Sequence, residues 1–385
     1  MSRSFQVGPD YLTLLQNGSD FFPQLCADID AARHSVHVET YIFAADETGR
    51  RILQALQRAA QRQVAVRLLL DGFGSADLPE EWVEALRGAG VDVLWFRRER
   101  GFFRLRRHRL RRMHRKLAVI DGATAYVGGI NIIDDIPDEA DFEAPRLDYA
   151  VRVQGPLAHA VQEAVRHLWS SVRWATLRKR IGRLRMQLRR LPAAPEQDGT
   201  QLLLRDNLRN RHSIEAAYLR AILGAQREIV LAHAYFLPGR AVRRALKRAA
   251  KRGVRVVLLL QGRVEYRLQH HATQALYGQL LAAGIELYEY RASYLHAKVC
   301  VVDGVWATLG SSNLDPFSLW LAREANLAVQ DAGFAGALRD SVLQAVREDS
   351  QPVVTPPRHP VAAFLSFLSY GAIRLLVTFL VRQRH

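Results

Sequence analysis

The feature that most constrains this chain is a long internal duplication. The pattern H-x-K-x4-D-x6-G-[GS]-x-N occurs twice. Its first copy is His114-Arg115-Lys116, Asp121, Gly128-Gly129 and Asn131. The second is His296-Ala297-Lys298, Asp303, Gly310-Ser311 and Asn313. The likeness extends around the motifs. The run from Ala59 to Gly72 resembles that from Ala249 to Gly262, each a helix end, a turn and a buried strand. Ala89-Gly90-Val91-Asp92-Val93 echoes Ala283-Gly284-Ile285-Glu286-Leu287, and the runs from Val36 to Phe43 and from Ile229 to Phe236 are both strand-like. Both halves thus read strand, helix, strand, helix, short strand, motif hairpin. A repeat this long is not a solenoid. It predicts a duplicated α/β domain with helices packed on a mainly parallel sheet. A Pro- and Gly-containing break at 191–199 and a Pro-rich one at 351–360 divide the chain into 1–195, 196–350 and a tail, 351–385.

With 385 residues and 49% apolar content, two ordinary domains can each bury a core. The formal charge of +16 favours polyanionic partners: nucleic acid, an anionic membrane face or phosphorylated substrates. Two cysteines, Cys26 and Cys300, make neither a disulfide framework nor a metal site, and Cys300 lies in an apolar run where it packs as a small hydrophobe. Residues 1–10 carry no apolar stretch after Arg3, so no signal peptide is expected there.

Each motif begins a short apolar strand whose Asp-Gly opens a hairpin connection. Residues two apart on a strand share a face, so His114 and Lys116 point together, as do His296 and Lys298. An imidazole beside an ammonium suits a phosphodiester. The imidazole serves as nucleophile, base or, protonated, acid, while lysine neutralises the non-bridging oxygens. Asn131 and Asn313 can donate to the same oxygens. Gly128, Gly129 and Gly310 admit close backbone approach, and Ser311 adds a hydroxyl. Asp121 and Asp303 either make the turn or orient the His and Lys, with structural support favoured, and as motif members they are grouped with His114, Lys116, His296 and Lys298 in the catalytic set. No carboxylate cluster at metal-ligand spacing accompanies the motifs, so no metal and no other cofactor is expected. Downstream, Asp148 and Glu324 each enter an apolar strand, and a carboxylate there would hydrogen-bond the far nitrogen of a motif histidine.

These residues resemble the phospholipase D superfamily, whose HKD signature is the repeated pattern. Flanking stretches resemble its bacterial cardiolipin synthase branch: Arg112-Met113-His114-Arg115-Lys116, the runs 128–131 and 148–156, Gly310 to Pro316, Arg323-Glu324-Ala325-Asn326, Glu39 to Phe43 and Leu70 to Ser75. The likeness covers roughly residues 10–330 and matches the short form without N-terminal transmembrane helices. It implies two α/β/α sandwich halves about a pseudo-twofold axis with one active site between them. It also implies a phosphohistidine mechanism, with His114 as nucleophile and His296 as acid and base, in which phosphatidylglycerol is both donor and acceptor.

Two further segments bear on membrane contact. Trp174, Leu177, Ile181, Leu184, Leu188 and Leu191 recur at helical spacing among seven arginines and lysines between 178 and 190, which reads as a basic amphipathic helix. A second basic stretch, Arg97 to Arg112, contains Phe102 and Phe103 and leads into His114. The apolar run from Val361 to Val381 would span about 30 Å as a helix. Ser366, Tyr370, Arg374, Thr378 and Arg382 give it a polar stripe, favouring shallow insertion or packing on protein over a true span. The expected partners are phosphatidylglycerol and an anionic membrane surface, at the cytoplasmic face of the cell membrane. The alternatives are a phospholipase D-type hydrolase or headgroup-exchange enzyme, a metal-independent nuclease, and a binding protein with a dead site. The apolar tail and the mixed Phe/Arg stretch favour lipid over nucleic acid.

Overall fold

The computed structural model describes residues 3–98, 111–136, 144–181, 199–206, 210–264, 267–320 and 322–354. The first half starts with a hairpin, β1 (Arg3–Val7) and β2 (Asp10–Gln16). There follow α1 (Asn17–Ala31), β3 (Ser35–Thr40), α2 (Glu47–Gln61), β4 (Ala65–Asp71), α3 (Glu80–Gly88) and β5 (Asp92–Phe96). The motif hairpin is β6 (Lys116–Ile120) and β7 (Thr124–Gly128), followed by β8 (Tyr149–Gln154) and α4 (Pro156–Ile181). The second half repeats the plan with β9 (Thr200–Arg205), α5 (Ser213–Gly224), β10 (Glu228–His233), α6 (Arg240–Lys251) and β11 (Arg255–Gln261). It continues through α7 (Arg267–Gln274), α8 (Tyr277–Leu281), β12 (Glu286–Tyr290), β13 (Lys298–Val302), β14 (Trp306–Gly310) and α9 (Pro316–Trp320). It closes with β15 (Glu324–Gln330), α10 (Ala332–Glu348) and β16 (Ser350–Pro352).

The sheets run β1-β2-β8-β7-β6-β3-β4-β5 and β16-β12-β11-β10-β13-β14-β15-β9. From β2 to β5 and from β9 to β12 the order is the same, so the duplication is structural as well as sequential. The expectation of a mainly parallel sheet needs correcting. Among the described residues only β3-β4-β5 and β10-β11-β12 pair in parallel, and every other strand pairing within the sheets is antiparallel. Helices cover both faces, so antiparallel strands here are as uniformly apolar as parallel ones, and apolar runs do not distinguish the two.

Helix faces follow residue spacing. In α2, Ile52, Ala55, Leu56 and Ala59 are buried at the i, i+3, i+4, i+7 positions. The Asp46 carboxylate caps this helix by accepting from the Gly49 N–H at 2.8 Å. Val242, Ala245, Leu246 and Ala249 repeat the spacing in α6. The central core joins the halves: Val127, Val151 and Val161 of the first half lie in one cluster with Leu309, Leu327 and Leu338 of the second. Each half keeps its own outer cluster, and Cys300 is fully buried in one of these.

The expected domain boundary at 195 falls between α4 and β9, outside the described residues. So do most of the basic segment ending at Leu191, the stretch 99–110 and the whole apolar run 361–381. At the second break, β16 extends the sheet to Pro352 by pairing with β12. Among the described residues no helix is long and apolar enough to cross a membrane.

Candidate active site

The two motif strands begin at the ends of the sheets where β3 and β10 finish, since β6 and β13 run antiparallel to them. Backbone around each motif histidine crosses to the other half. Met113 forms a parallel bridge with Arg323, and Leu295 forms one with Leu147. His114 N–H donates to the Arg323 carbonyl at 3.0 Å, and His296 N–H to the Leu147 carbonyl at 2.9 Å. Side chains reinforce both crossings. The Asp71 carboxylate accepts from Met113 N–H at 2.7 Å, and the Gln261 amide oxygen from Leu295 N–H at 2.8 Å. One connection, used twice, thus brings the two motifs together across the pseudo-twofold axis.

That crossing exchanges the acidic partners. His114 Nδ1 lies 3.1 Å from Glu324 Oε2 and 3.1 Å from the Ser311 carbonyl. His296 Nδ1 lies 2.6 Å from Asp148 Oδ2. Each histidine therefore takes its carboxylate from the opposite half. With Nδ1–H donated to a carboxylate, the neutral ring keeps its lone pair on Nε2. Burial pushes the His114 imidazole below the ordinary histidine range, and Glu324 pulls it back. Burial, with Lys298 and Lys116 nearby, holds His296 well below that range. Burial raises Asp148 to about 6 despite Lys298.

Both lysines are buried beneath the histidines. Lys116 Nζ donates to the His114 carbonyl at 2.6 Å, and Lys298 Nζ donates to that of His296. Burial brings Lys116 down to about 7. The buried Asn131 accepts from Ile42 N–H at 3.3 Å, which leaves its amide N–H groups as donors. Asn313 is likewise buried. Gly129 and Ser311 occupy matching positions but do different work. A Cβ on Gly129 would lie 2.4 Å from an Asp148 carboxylate oxygen, so only glycine leaves that carboxylate its place. The Ser311 hydroxyl instead donates to Glu324 at 2.5 Å.

Asp121 and Asp303, grouped with the catalytic residues on the strength of the motif, do not join this cluster. They sit at the far ends of β6 and β13 with φ of 52° and 55°. Asp121 accepts from the N–H groups of Arg33, His34 and Ser35 at 2.7–2.8 Å. Asp303 does the same for Gln226, Arg227 and Glu228 at 2.7–2.9 Å. The cause is strand geometry: five residue steps along an extended strand, about 16 Å, separate them from the lysines.

Two contributors were not singled out by the motif. The Tyr41 ring lies 4.8 Å from the His114 ring, centre to centre, with the Lys116 ammonium 5.3 Å from its centre. Asp71 fixes the residue before His114. Both lie in stretches that carry the family resemblance, the only signal by which they were visible. Among the described residues no group of three or more His, Cys, Asp or Glu is arranged to hold a metal ion.

Residues 25–166 and 218–345 match the family described as cardiolipin synthase, PLD-like domain. Cardiolipin synthase B of Shigella flexneri is 37% identical over 363 residues, covering 92% of this chain and 84% of that protein. A cardiolipin synthase of Geobacillus kaustophilus is 33% identical over 81% of this chain and 61% of its own length. In fold, the chain is similar to the crystal structure of phosphatidylserine synthase from Haemophilus influenzae Rd KW20, with a TM-score of 0.68 at 16% identity, covering 97% and 96% of the two chains. With both halves matched by one family and 37% identity to the Shigella flexneri protein over 92% of the chain, the chain belongs to the cardiolipin synthase family of phospholipase D-like proteins.

Proposed function

We propose that this protein is a cardiolipin synthase that moves a phosphatidyl group from one phosphatidylglycerol to another. The observation that best supports a two-step transfer is the pair of histidines, each with a carboxylate on Nδ1 and a lysine below it. His114 Nε2 attacks the donor phosphorus, forming the N–P bond as the P–O bond to glycerol breaks. Protonated His296 gives its proton to the departing glycerol. Neutral His296 then takes the proton of the acceptor lipid's free glycerol hydroxyl. That oxygen attacks phosphorus, the N–P bond breaks, and His114 is restored. Lys116 and Lys298, with Asn131 and Asn313, stabilise the non-bridging oxygens. Glu324 and Asp148 hold the ring tautomers and stabilise the imidazolium states. Asp121 and Asp303 anchor the motif hairpins.

On this reading residues 1–195 supply His114 and residues 196–350 supply His296, while 351–385 assists attachment to the cytoplasmic face of an anionic membrane. The relatives' names favour lipid transfer over hydrolysis, which differs only in using water as acceptor. The test is product analysis with labelled phosphatidylglycerol in mixed micelles, beside a nuclease assay. Cardiolipin and glycerol are expected. Phosphatidic acid alone would make the protein a hydrolase, and nucleic-acid cleavage without lipid turnover would reject the reading.

A further inference from the structure

The proposed reaction brings one lipid's phosphate and the headgroup hydroxyl of a second lipid to His114 and His296, and the inference below rests on that reading. Both histidines lie where β3, β4, β10 and β11 end, so the connections at that end form the mouth of the site. Exposed apolar side chains stand on those connections in both halves. Phe73, 61% exposed, follows β4, and Val264, 49% exposed, follows β11. Ile136, 49% exposed, follows the first motif hairpin. The guanidinium carbon of Arg112, two residues before His114, lies 4.1 Å from the centre of the Phe73 ring. α4 leads to the same end. At Leu168, Trp169 and Val172 it packs on Phe96, the last residue of β5, and on Met113 beside His114. The helix then continues to Ile181, with Leu177 44% exposed.

An exposed ring beside a guanidinium fits the boundary of a lipid layer. There the ring meets acyl chains while the cation meets phosphate. The charge of +16 matches an anionic layer. A lipid whose phosphate must reach a buried His/Lys cluster needs to leave its bilayer least when the mouth itself lies on the headgroups. We propose that the mouth of the active site is the docking face for an anionic bilayer, with Phe73, Val264, Ile136 and Leu177 inserting and Arg112 lying among the headgroups.

Exposed apolar residues at the other end of the sheets provide the control: Leu223 at the end of α5 and Val305 in the turn between β13 and β14. In the full chain, Phe73→Asp with Val264→Asp should weaken binding to phosphatidylglycerol–phosphatidylcholine vesicles by about tenfold or more, judged from the apolar area withdrawn. Leu223→Asp with Val305→Asp should leave vesicle binding unchanged. Thermal unfolding of each variant reports whether the fold is kept. A second reading avoids loss of function altogether: the fluorescence that Phe73→Trp adds to that of the six native tryptophans should be quenched by brominated lipid, and that added by Val305→Trp should not. Equal binding by all variants, or quenching at 305 and not at 73, overturns the docking face. Vesicle binding through Phe73 and Val264 by a protein that makes no cardiolipin would uphold the docking face and remove only the proposed reaction. Full cardiolipin synthesis on vesicles by the Phe73→Asp, Val264→Asp protein would remove only the docking face.

Discussion

Glu324 Oε2 lies 3.1 Å from Nδ1 of His114, a residue 210 positions earlier and in the other half of the molecule. Asp148 and His296 repeat the relationship in reverse at 2.6 Å. Neither half therefore holds a complete histidine–carboxylate pair. Under the proposed mechanism the interface is part of the chemistry, because separating the halves strips both imidazoles of their carboxylates.

The crossed pairs predict separable defects. Glu324→Gln should slow formation of the phosphohistidine, and Asp148→Asn should slow both leaving-group protonation and its later reversal. Loss of a tautomer-fixing carboxylate costs about 10²–10⁴-fold in comparable triads. Rapid-quench experiments in alkali with labelled phosphatidylglycerol would measure each step. Identical kinetics for the two variants would contradict the assigned division of labour.

Given a phosphatidyl donor whose leaving group needs no proton, such as a nitrophenyl ester, His296→Asn should leave a covalent phosphatidyl adduct on His114. Such a donor bypasses the missing acid of the first step, and the second step lacks its base. His114→Ala should give no adduct. Peptide mapping of the alkaline digest locates it, and an adduct found on His296 in the reciprocal His114→Asn protein would reverse the roles.

The pH profile follows from burial. Burial depresses both histidines, so the neutral His114 nucleophile persists below pH 6.5, the ordinary histidine value, while the protonated His296 acid becomes scarcer as pH rises and kcat should fall with it. Lys116, brought to about 7, is charged below that pH and loses its proton above it. Affinity for the lipid phosphate should therefore fall as pH rises through about 7, appearing as an increase in KM. Lys116→Arg keeps its charge and should move this alkaline limb upward. A limb that stays in place would show that Lys116 does not set it.

Gly129→Ala should behave like a carboxylate variant although it removes no polar group, because its Cβ would press on the Asp148 carboxylate at 2.4 Å. A fall in kcat of about 10²-fold is expected, against about tenfold for Ser311→Ala, which loses one hydroxyl bond to Glu324. Comparable kinetics for Gly129→Ala and the intact protein would show that Asp148 can move without loss.

Asp121→Ala and Asp303→Ala test anchoring against catalysis. Each carboxylate accepts three backbone N–H bonds at the protein surface, and losing one should cost about 1–3 kcal/mol of stability. Burial opposes ionisation of both, yet the backbone donors hold both below the usual carboxylate range. Their contribution is therefore present above the unfolded aspartate value, about 3.9, and is lost as pH falls through the lower folded value. Denaturant unfolding from neutral to acidic pH measures this, and the stability difference between Asp121→Ala and the intact protein should shrink at the acid end. A large loss of turnover in fully folded Asp121→Ala would return it to the catalytic group.

Much of this was legible in the residues. The repeated order of apolar runs determined a duplicated α/β domain, and α2 and α6 carry the helical spacing that buries Ile52 and Val242. The two-residue spacing of His114 and Lys116 predicted one strand face; in the structure Lys116 opens β6 and His114 precedes the strand, with the Lys116 ammonium on its carbonyl. Strand direction was not legible: with helices on both faces, the antiparallel β6–β8 are as apolar as the parallel β3–β5. Nor was the partner of each histidine. Asp148 and Glu324 occupy matching places in the two halves, so local pattern treats either pairing alike. Only the bridges from Met113 to Arg323 and from Leu147 to Leu295 decide it, because contacts between halves depend on how two folded sheets meet and not on spacing along either one.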